Sequence, residues 1–397
     1  MEKEKIMKKL FVVLLAIMCM FSLTACGGND SGETTTGGSD TVTIKLGASG
    51  PLTGGAAVYG LAVKNAAQLA VDEINASDSK IKFEFKMEDD MAEGEKAVTA
   101  YNTLYDWGMQ ASLFTVTSGS GAAVAGMYDE DKIFAITPSG SATDLVYTDS
   151  KNFTGNFQMC FTDPNQGVAS ADYMAEKFAD KKIGIIYKND DVYSAGIYEK
   201  FVGEASVKGL NVVYSGAFDD SNATDFNTQL TAAQGAGADL VFMPIYYQPA
   251  SLILTQANAM GYAPIFFGVD GMDGILSLEG FDTTLAEGLY LLTPFAADAT
   301  DDLTVHFVTE FEANYGDTPN QFAADAYDCV YAIKAALENI GVENIDADNL
   351  YDDLVAQFNT MSFDGLTGND MTWAENGEVS KAPKAVIIEN GVYVSVQ

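Results

Sequence analysis

Residues 42–87 read VTIKLGASGPLTGGAAVYGLAVKNAAQLAVDEINASDSKIKFEFKM, and the rhythm of this stretch decides the fold. Val42, Ile44 and Leu46 alternate with Thr43 and Lys45, the period of a strand, and the run breaks at Gly47 to Gly50. Val63, Ala67, Ala70 and Ile74 then recur at offsets that place them on one face of a helix. Ile81, Phe83, Phe85 and Met87 alternate strictly with polar partners and read as a second strand. Strand, loop, helix and strand in that order is a βαβ unit.

The beat continues outward. A helix around Ala97 to Trp107 leads to an apolar strand from Ala111 to Thr117, and a further strand follows at Ile133 to Ile136. Ile183 to Tyr187, Leu210 to Tyr214, Leu240 to Met243 and Ile265 to Gly268 resume it, each followed by a helix-length segment. Strands that alternate with helices imply parallel sheets, because a parallel connection needs a crossover that covers a sheet face. The fold class is therefore α/β. A chain of 397 residues, 48% hydrophobic, is too long for one ordinary core and suits two lobes. Ligands of open α/β sheets collect at the carboxyl ends of strands, so the loops after the strands are where a site is expected.

The amino terminus has a different character. Lys3, Lys5, Lys8 and Lys9 precede the apolar run Leu10 to Leu23, which ends in Leu23-Thr24-Ala25-Cys26. A basic start, a short apolar run and small residues before a cysteine form an export signal of bacterial lipoprotein type over residues 1–25. A membrane span needs roughly 20 apolar residues. Cys26 is the expected lipidation site, and residues 26–40, rich in Gly, Ser and Thr, read as a flexible tether. With 56 acidic against 21 basic residues the formal net charge is −35, which repels phosphate backbones, so no nucleic-acid partner is expected. Cys19 and Cys26 belong to the signal and the lipid, and Cys160 with Cys329 make neither a disulfide framework nor a metal motif. Both are expected to be buried free thiols, and no cofactor or metal is expected.

Three strand exits are rich in small polar residues: Pro51-Leu52-Thr53-Gly54-Gly55, Ser118-Gly119-Ser120-Gly121 and Thr137-Pro138-Ser139-Gly140-Ser141. Helix amino termini at such exits offer unpaired N–H groups and partial positive charge to an anion such as a carboxylate. Each loop alone also reads as turn and capping chemistry. Tyrosines fall at comparable places in both halves, Tyr59, Tyr193 and the pair Tyr246-Tyr247, and each would give a small ligand a flat wall with one polar tip. Asp270, closing the strand in Phe267-Gly268-Val269-Asp270-Gly271, reads either as the partner of a ligand ammonium or as a solvated loop acid. Catalytic signatures are missing: the single histidine, His306, stands in an amphipathic helix, and no triad, zincin, phosphate-loop or dinucleotide motif occurs. An enzyme is not expected.

GASGPLTGGAAVYG (47–60) with AVDEINA (70–76) resembles the opening of the leucine/isoleucine/valine-binding proteins, type I periplasmic solute-binding proteins of ABC importers. The resemblance runs on through Tyr128-Asp129-Glu130, Ile136-Thr137-Pro138-Ser139, Ile183 to Tyr187 with Tyr193, Ala326-Tyr327-Asp328, Phe363 to Gly368 and Asn376-Gly377. It implies two Rossmann-like lobes joined by three crossovers near residues 158, 292 and 365, the first lobe spanning 41–158 plus 293–365 and the second 159–292 plus 366–397. It further implies that Thr117, Ser118 and the backbone at Gly140 hold an α-carboxylate and part of the amine, and that Ser141 hydrogen-bonds the ammonium. Tyr193 and Tyr247 would close over the ligand, Asp270 would pair with its α-ammonium, and Tyr59 and Phe322 would line the side-chain pocket. Family members often carry glutamate where Asp270 stands, and the cysteine pair of Gram-negative members, near Met91 and Thr117, is absent.

The leading expectation is a monomeric protein, lipid-anchored on the outer face of the cytoplasmic membrane, that captures a branched-chain or similar amino acid for an ABC permease. A ligand-sensing receptor lobe, or a binder of another small polar solute such as an amide or urea, is the alternative.

Overall fold

The strand–helix rhythm is realised as two separate sheets in the computed structural model, which describes residues 41–396. The signal-type amino terminus, Cys26 and the tether lie outside the described residues.

The first half runs β1 (Val42–Gly50), α1 (Ala57–Ala76), β2 (Ile81–Asp89), α2 (Gly94–Trp107), β3 (Ala111–Ser112), α3 (Ser118–Glu130) and β4 (Phe134–Thr137). A two-residue hairpin, β5 (Tyr147–Thr148) with β6 (Lys151–Asn152), precedes β7 (Asn156–Gln158). The sheet order is β2-β1-β3-β4-β7, all parallel. The second half runs α4 (Asp163–Lys177), β8 (Lys182–Lys188), α5 (Val192–Lys208), β9 (Asn211–Phe218), α6 (Asn227–Gly235), β10 (Leu240–Met243), α7 (Tyr247–Met260), β11 (Ile265–Gly268) and β12 (Tyr290–Thr293). Three helices follow, α8 (Asp302–Tyr315), α9 (Gln321–Ile340) and α10 (Leu350–Phe358), and then the hairpin β13 (Lys384–Glu389) and β14 (Val392–Ser395). The second sheet has the order β14-β13-β12-β11-β10-β8-β9, antiparallel only at the terminal hairpin. Each sheet thus has the first of its strands in chain order inside and the second at an edge, and the strand order reverses beside that first strand. That reversal opens a crevice at the carboxyl ends of the strands.

Packing follows the residue pattern. α1 buries Val63, Ala66, Ala67, Ala70, Val71 and Ile74, and α9 is buried from Gln321 to Val330, so a run of alanines lets these two helices lie close. On the opposite sheet face Tyr101, Leu104, Phe114 and Tyr128 form a separate cluster, and in the second half Ile183, Ile185, Phe201, Phe242 and Phe267 form another. The strand expected through Thr117 stops at Ser112, whose hydroxyl donates to the Gly47 carbonyl and accepts the Phe114 N–H, turning Phe114 into left-handed backbone at φ 55°. Cys160 and Cys329 are buried free thiols. Among the described residues no helix is long and apolar enough to cross a membrane.

The chain passes between the sheets after β7 and after β12. Residues 366–379, grouped in the sequence with the second half, pack instead on the first: Trp373 Nε1 donates to the Gln158 carbonyl, the Gln158 N–H donates to the Gly377 carbonyl, and the indole lies 4.7 Å from the ring of Phe358. Beyond them the ammonium of Lys381, 1% exposed, donates to Asp325 and to the Thr367 hydroxyl, each at 2.6 Å. Asp328 takes the Leu366 and Thr367 N–H groups. The third passage therefore begins near residue 380, where a buried ion pair fastens it.

Candidate functional site between the two sheets

The strand exits of both halves meet around one small cavity lined by Tyr59, Val116, Thr117, Ser118, Ser139, Tyr193, Tyr246, Asp270, Gly271 and Phe322. On the side of the first sheet, Thr117 caps α3 with extended backbone, yet its side chain makes no cap bond and its buried hydroxyl has no partner. The first N–H groups of α3 point toward the same end of the helix, where they carry partial positive charge. The Ser118 hydroxyl accepts the Ala142 N–H at 3.1 Å, which leaves its own proton to be donated. Ser139 is set the other way: its hydroxyl donates to the Val116 carbonyl at 2.6 Å, leaving lone pairs to accept.

On the side of the second sheet stands Asp270, 2% exposed. The Tyr193 hydroxyl donates to its Oδ1 at 2.5 Å, and the Gly271 N–H donates to that same hydroxyl at 2.9 Å. Its main chain is fixed as well, since the Asp270 N–H donates to Gln166 and Gln321 donates to the Asp270 carbonyl. Burial pushes the carboxyl up to about 7, more than the hydrogen bonds from Tyr193 and Gly271 bring it down. No basic side chain lines the cavity. Such an acid gains most from a cation brought into the same enclosure.

Aromatic rings make the walls. Tyr59 meets Tyr246 at 5.4 Å and Phe322 at 4.6 Å, and Tyr193 stacks on Tyr246 at 4.9 Å. Tyr59 also joins the halves: its hydroxyl donates to the Gly271 carbonyl at 2.5 Å and accepts the Tyr247 N–H at 3.2 Å. The cavity volume is about 10 Å³. That is room for about one water, so entry of a larger solute requires the two halves to part and the rings to swing.

Of the residues expected from the sequence, Tyr59, Thr117, Ser118, Tyr193, Asp270 and Phe322 lie together on this cavity, and Gly140, Ser141 and Tyr247 are not in its lining. The Gly140 N–H is already spent on the Thr137 hydroxyl at 2.7 Å. The Ser141 hydroxyl faces Asp163, a buried carboxyl pushed well above its ordinary range by desolvation. Tyr247 points away, its hydroxyl donating to the Gly55 carbonyl at 2.9 Å. Its neighbour Tyr246 supplies the wall instead, and Ser139 supplies the hydroxyl on the Thr137 loop. Both belong to segments whose composition marked them, but the sequence does not say which residue of each faces inward. His306 lies elsewhere, 3.0 Å from Glu73, which also receives the Tyr327 and Tyr331 hydroxyls.

The family model described as periplasmic binding protein matches residues 43–389. The Leu/Ile/Val-binding protein BraC3 of Rhizobium johnstonii is 27% identical over 300 residues, covering 75% of this chain and 80% of that protein. The leucine-, isoleucine-, valine-, threonine- and alanine-binding protein of Pseudomonas aeruginosa is 26% identical over 341 residues, covering 85% and 87%. Among solved structures, the branched-chain amino acid transporter substrate-binding protein LivJ of Streptococcus pneumoniae, in complex with isoleucine, superposes with a TM-score of 0.77 at 26% identity, covering 89% of this chain and 98% of that one. A solute-binding protein of an ABC transporter from R. palustris, in complex with benzoate, has the same fold at a TM-score of 0.79 and 19% identity, covering 89% and 96%. The chain belongs to the periplasmic binding proteins, as a type I member of the leucine/isoleucine/valine-binding family.

Proposed function

We propose that the protein captures a single amino acid between its two halves and presents it to the permease of an ABC importer. The observation that carries this reading is the pairing, across one aromatic cavity, of a buried acid that lacks a counter-cation with a helix amino terminus whose capping hydroxyl lacks a partner. The ligand's α-ammonium pairs with Asp270 and donates to Ser139, while its carboxylate receives the Thr117 and Ser118 hydroxyls and the first N–H groups of α3. A charge-assisted bond in an enclosure that excludes water is stronger than the same bond at a surface. Tyr59, Tyr193, Tyr246 and Phe322 enclose the remainder, and in this proposal Gly140, Ser141 and Tyr247 support these groups without touching the ligand.

The named ligands of the relatives, branched-chain amino acids above all, support this class. The carboxyl of Asp270, held at about 7, also suits a proton donor, and a neutral acid facing an aromatic cage would accept an aromatic carboxylate such as the benzoate bound by one structural neighbour. Calorimetric titration with L-leucine, L-isoleucine and L-valine, their N-acetyl forms and benzoate separates the two. The proposal expects one-to-one binding of a free amino acid and none of the N-acetyl form or of benzoate, and the reverse pattern overturns it.

We further propose that Cys26 carries lipid and anchors the protein to the outer face of the cytoplasmic membrane. Replacement Cys26→Ala then moves the protein from the membrane fraction to the soluble one. Retention in the membrane fraction contradicts the tether.

A further inference from the structure

Tyr247, expected from the sequence to close over the ligand, instead reaches past the cavity into the other half. Its hydroxyl donates to the Gly55 carbonyl at 2.9 Å and receives the Val58 N–H at 3.4 Å. Val58 stands in the first turn of α1, and Ala56, the residue before that helix, makes no side-chain cap bond. The first N–H groups of a helix need partners from outside it. α1 takes one of its partners from the opposite half.

The same device recurs at α9. The Gln321 N–H, the first of that helix, donates at 2.8 Å to Asp273 Oδ2, and Gln321 Nε2 donates to the Asp270 carbonyl at 2.9 Å. Asp273 belongs to the second half and is fixed there by the Tyr393 hydroxyl and the Gly274 N–H. A carboxylate at a helix amino terminus also faces the positive end of the helix dipole. Between the two caps, Tyr59 donates to the Gly271 carbonyl and accepts the Tyr247 N–H, with its ring 4.9 Å from that of Tyr247. Gly55 lies so close to Gln248 that a Cβ there would collide with it. Every donor and acceptor in this set is a protein group, and each pair joins one half to the other.

Parting the halves breaks these bonds together and uncaps two helices. Water replaces each lost partner, so each bond favours closure by about 2- to 10-fold. One term opposes them, because a charged Asp270 is costly to bury. With that carboxyl at about 7, most molecules carry it protonated at pH 6, and there the caps prevail.

We propose that the capping of α1 by Tyr247 and of α9 by Asp273 is a latch that closes the two halves without ligand, and that the Tyr247 hydroxyl thereby sets the affinity of the cleft without touching what binds there. The affinity of a ligand that binds the closed form scales with the closed fraction. Entry needs the open form, so the latch also slows association. The affinity statement rests on the proposed capture of an amino acid; closure of the ligand-free chain does not.

Small-angle X-ray scattering of the ligand-free full chain at pH 6 reads the latch directly. The wild type is expected to match the closed structure and to change little when L-leucine is added. Tyr247→Phe keeps the ring and removes the hydroxyl, and Gln321→Met keeps the helix and removes the amide. The double variant is expected to lose about tenfold or more in its closed-to-open ratio and to expand. Saturating L-leucine returns it to the wild-type curve, which verifies the fold. Its affinity for L-leucine falls in proportion to its closed fraction, while its association becomes faster. An expanded ligand-free wild type overturns the proposal, as does a ligand-free double variant as compact as the wild type. Weaker affinity without faster association places the Tyr247 hydroxyl on the ligand and overturns it too. A wild type that binds no amino acid fails the proposed function alone, because the ligand-free curves decide the latch by themselves.

Discussion

Replacing Asp270 by asparagine should harm binding and help the fold, a combination that only a buried acid kept for a cationic ligand produces. The carboxyl sits at about 7 against an ordinary 3.8, a difference worth about 4 kcal/mol. At pH 8 that cost bears on the ligand-free protein, because the charged form is desolvated and no cation lines the cavity. Asparagine removes the charge and keeps an acceptor for the Tyr193 hydroxyl, so the melting temperature of the ligand-free variant rises at pH 8 and matches the wild type near pH 4. Binding responds in the opposite sense. Removing one member of a buried pair costs about 3–5 kcal/mol, which is roughly 10²- to 10³-fold or somewhat more in affinity for a free amino acid. Calorimetry gives the affinity and a thermal melt the stability, on the same preparations. Unchanged affinity refutes the placement of the ammonium, and a lower melting temperature at pH 8 refutes the account of the strained acid.

Thr117→Val removes a hydroxyl that has no partner in the protein, so the melting temperature should stay within the error of the wild type, while affinity for a carboxylate ligand falls about 10- to 100-fold, as for a bond to a charged group. The ligand-free protein should be most stable in acid. Asp90, Asp273 and Asp325 at about 6 and Asp270 at about 7 are all raised by burial, so the folded chain holds protons more tightly than the unfolded one and loses stability as pH climbs from about 4 to about 7. A melting temperature higher at pH 8 than at pH 5 contradicts this. Lys381→Met strands Asp325 and Asp328 without their cation and should cost about 3–5 kcal/mol in urea denaturation at pH 8, with a smaller deficit at pH 5 where the carboxyls take up protons.

The alternating periods of residues 42–87 carried the fold, because burial on a sheet or helix face is written at fixed spacing and survives any tertiary context. Positions one residue apart are a different matter. Tyr246 and Tyr247 share composition and neighbours, and which ring enters the cavity depends on how α7 begins against Tyr59, a contact between segments nearly two hundred positions apart. Ser139 and Ser141 differ in the same way: the inward one is chosen by the Val116 carbonyl and the outward one by Asp163. The early stop of β3 comes from a serine hydroxyl taking a backbone N–H, a local bond that an apolar run does not announce. The course of residues 366–379 depends on Trp373 finding the Gln158 carbonyl, and no periodicity encodes that.

Proton release on binding tests most directly whether a zwitterion's ammonium meets Asp270. With the carboxyl at about 7, roughly half of the ligand-free molecules carry the proton at pH 7, and pairing with an ammonium must expel it. Calorimetry in two buffers of different ionisation enthalpy reads this number. Release of about half a proton at pH 7, falling toward zero by about pH 8.5 and absent in Asp270→Asn, is the predicted result. Tight binding of an amino acid with no proton released at pH 7, or with protons taken up, contradicts it.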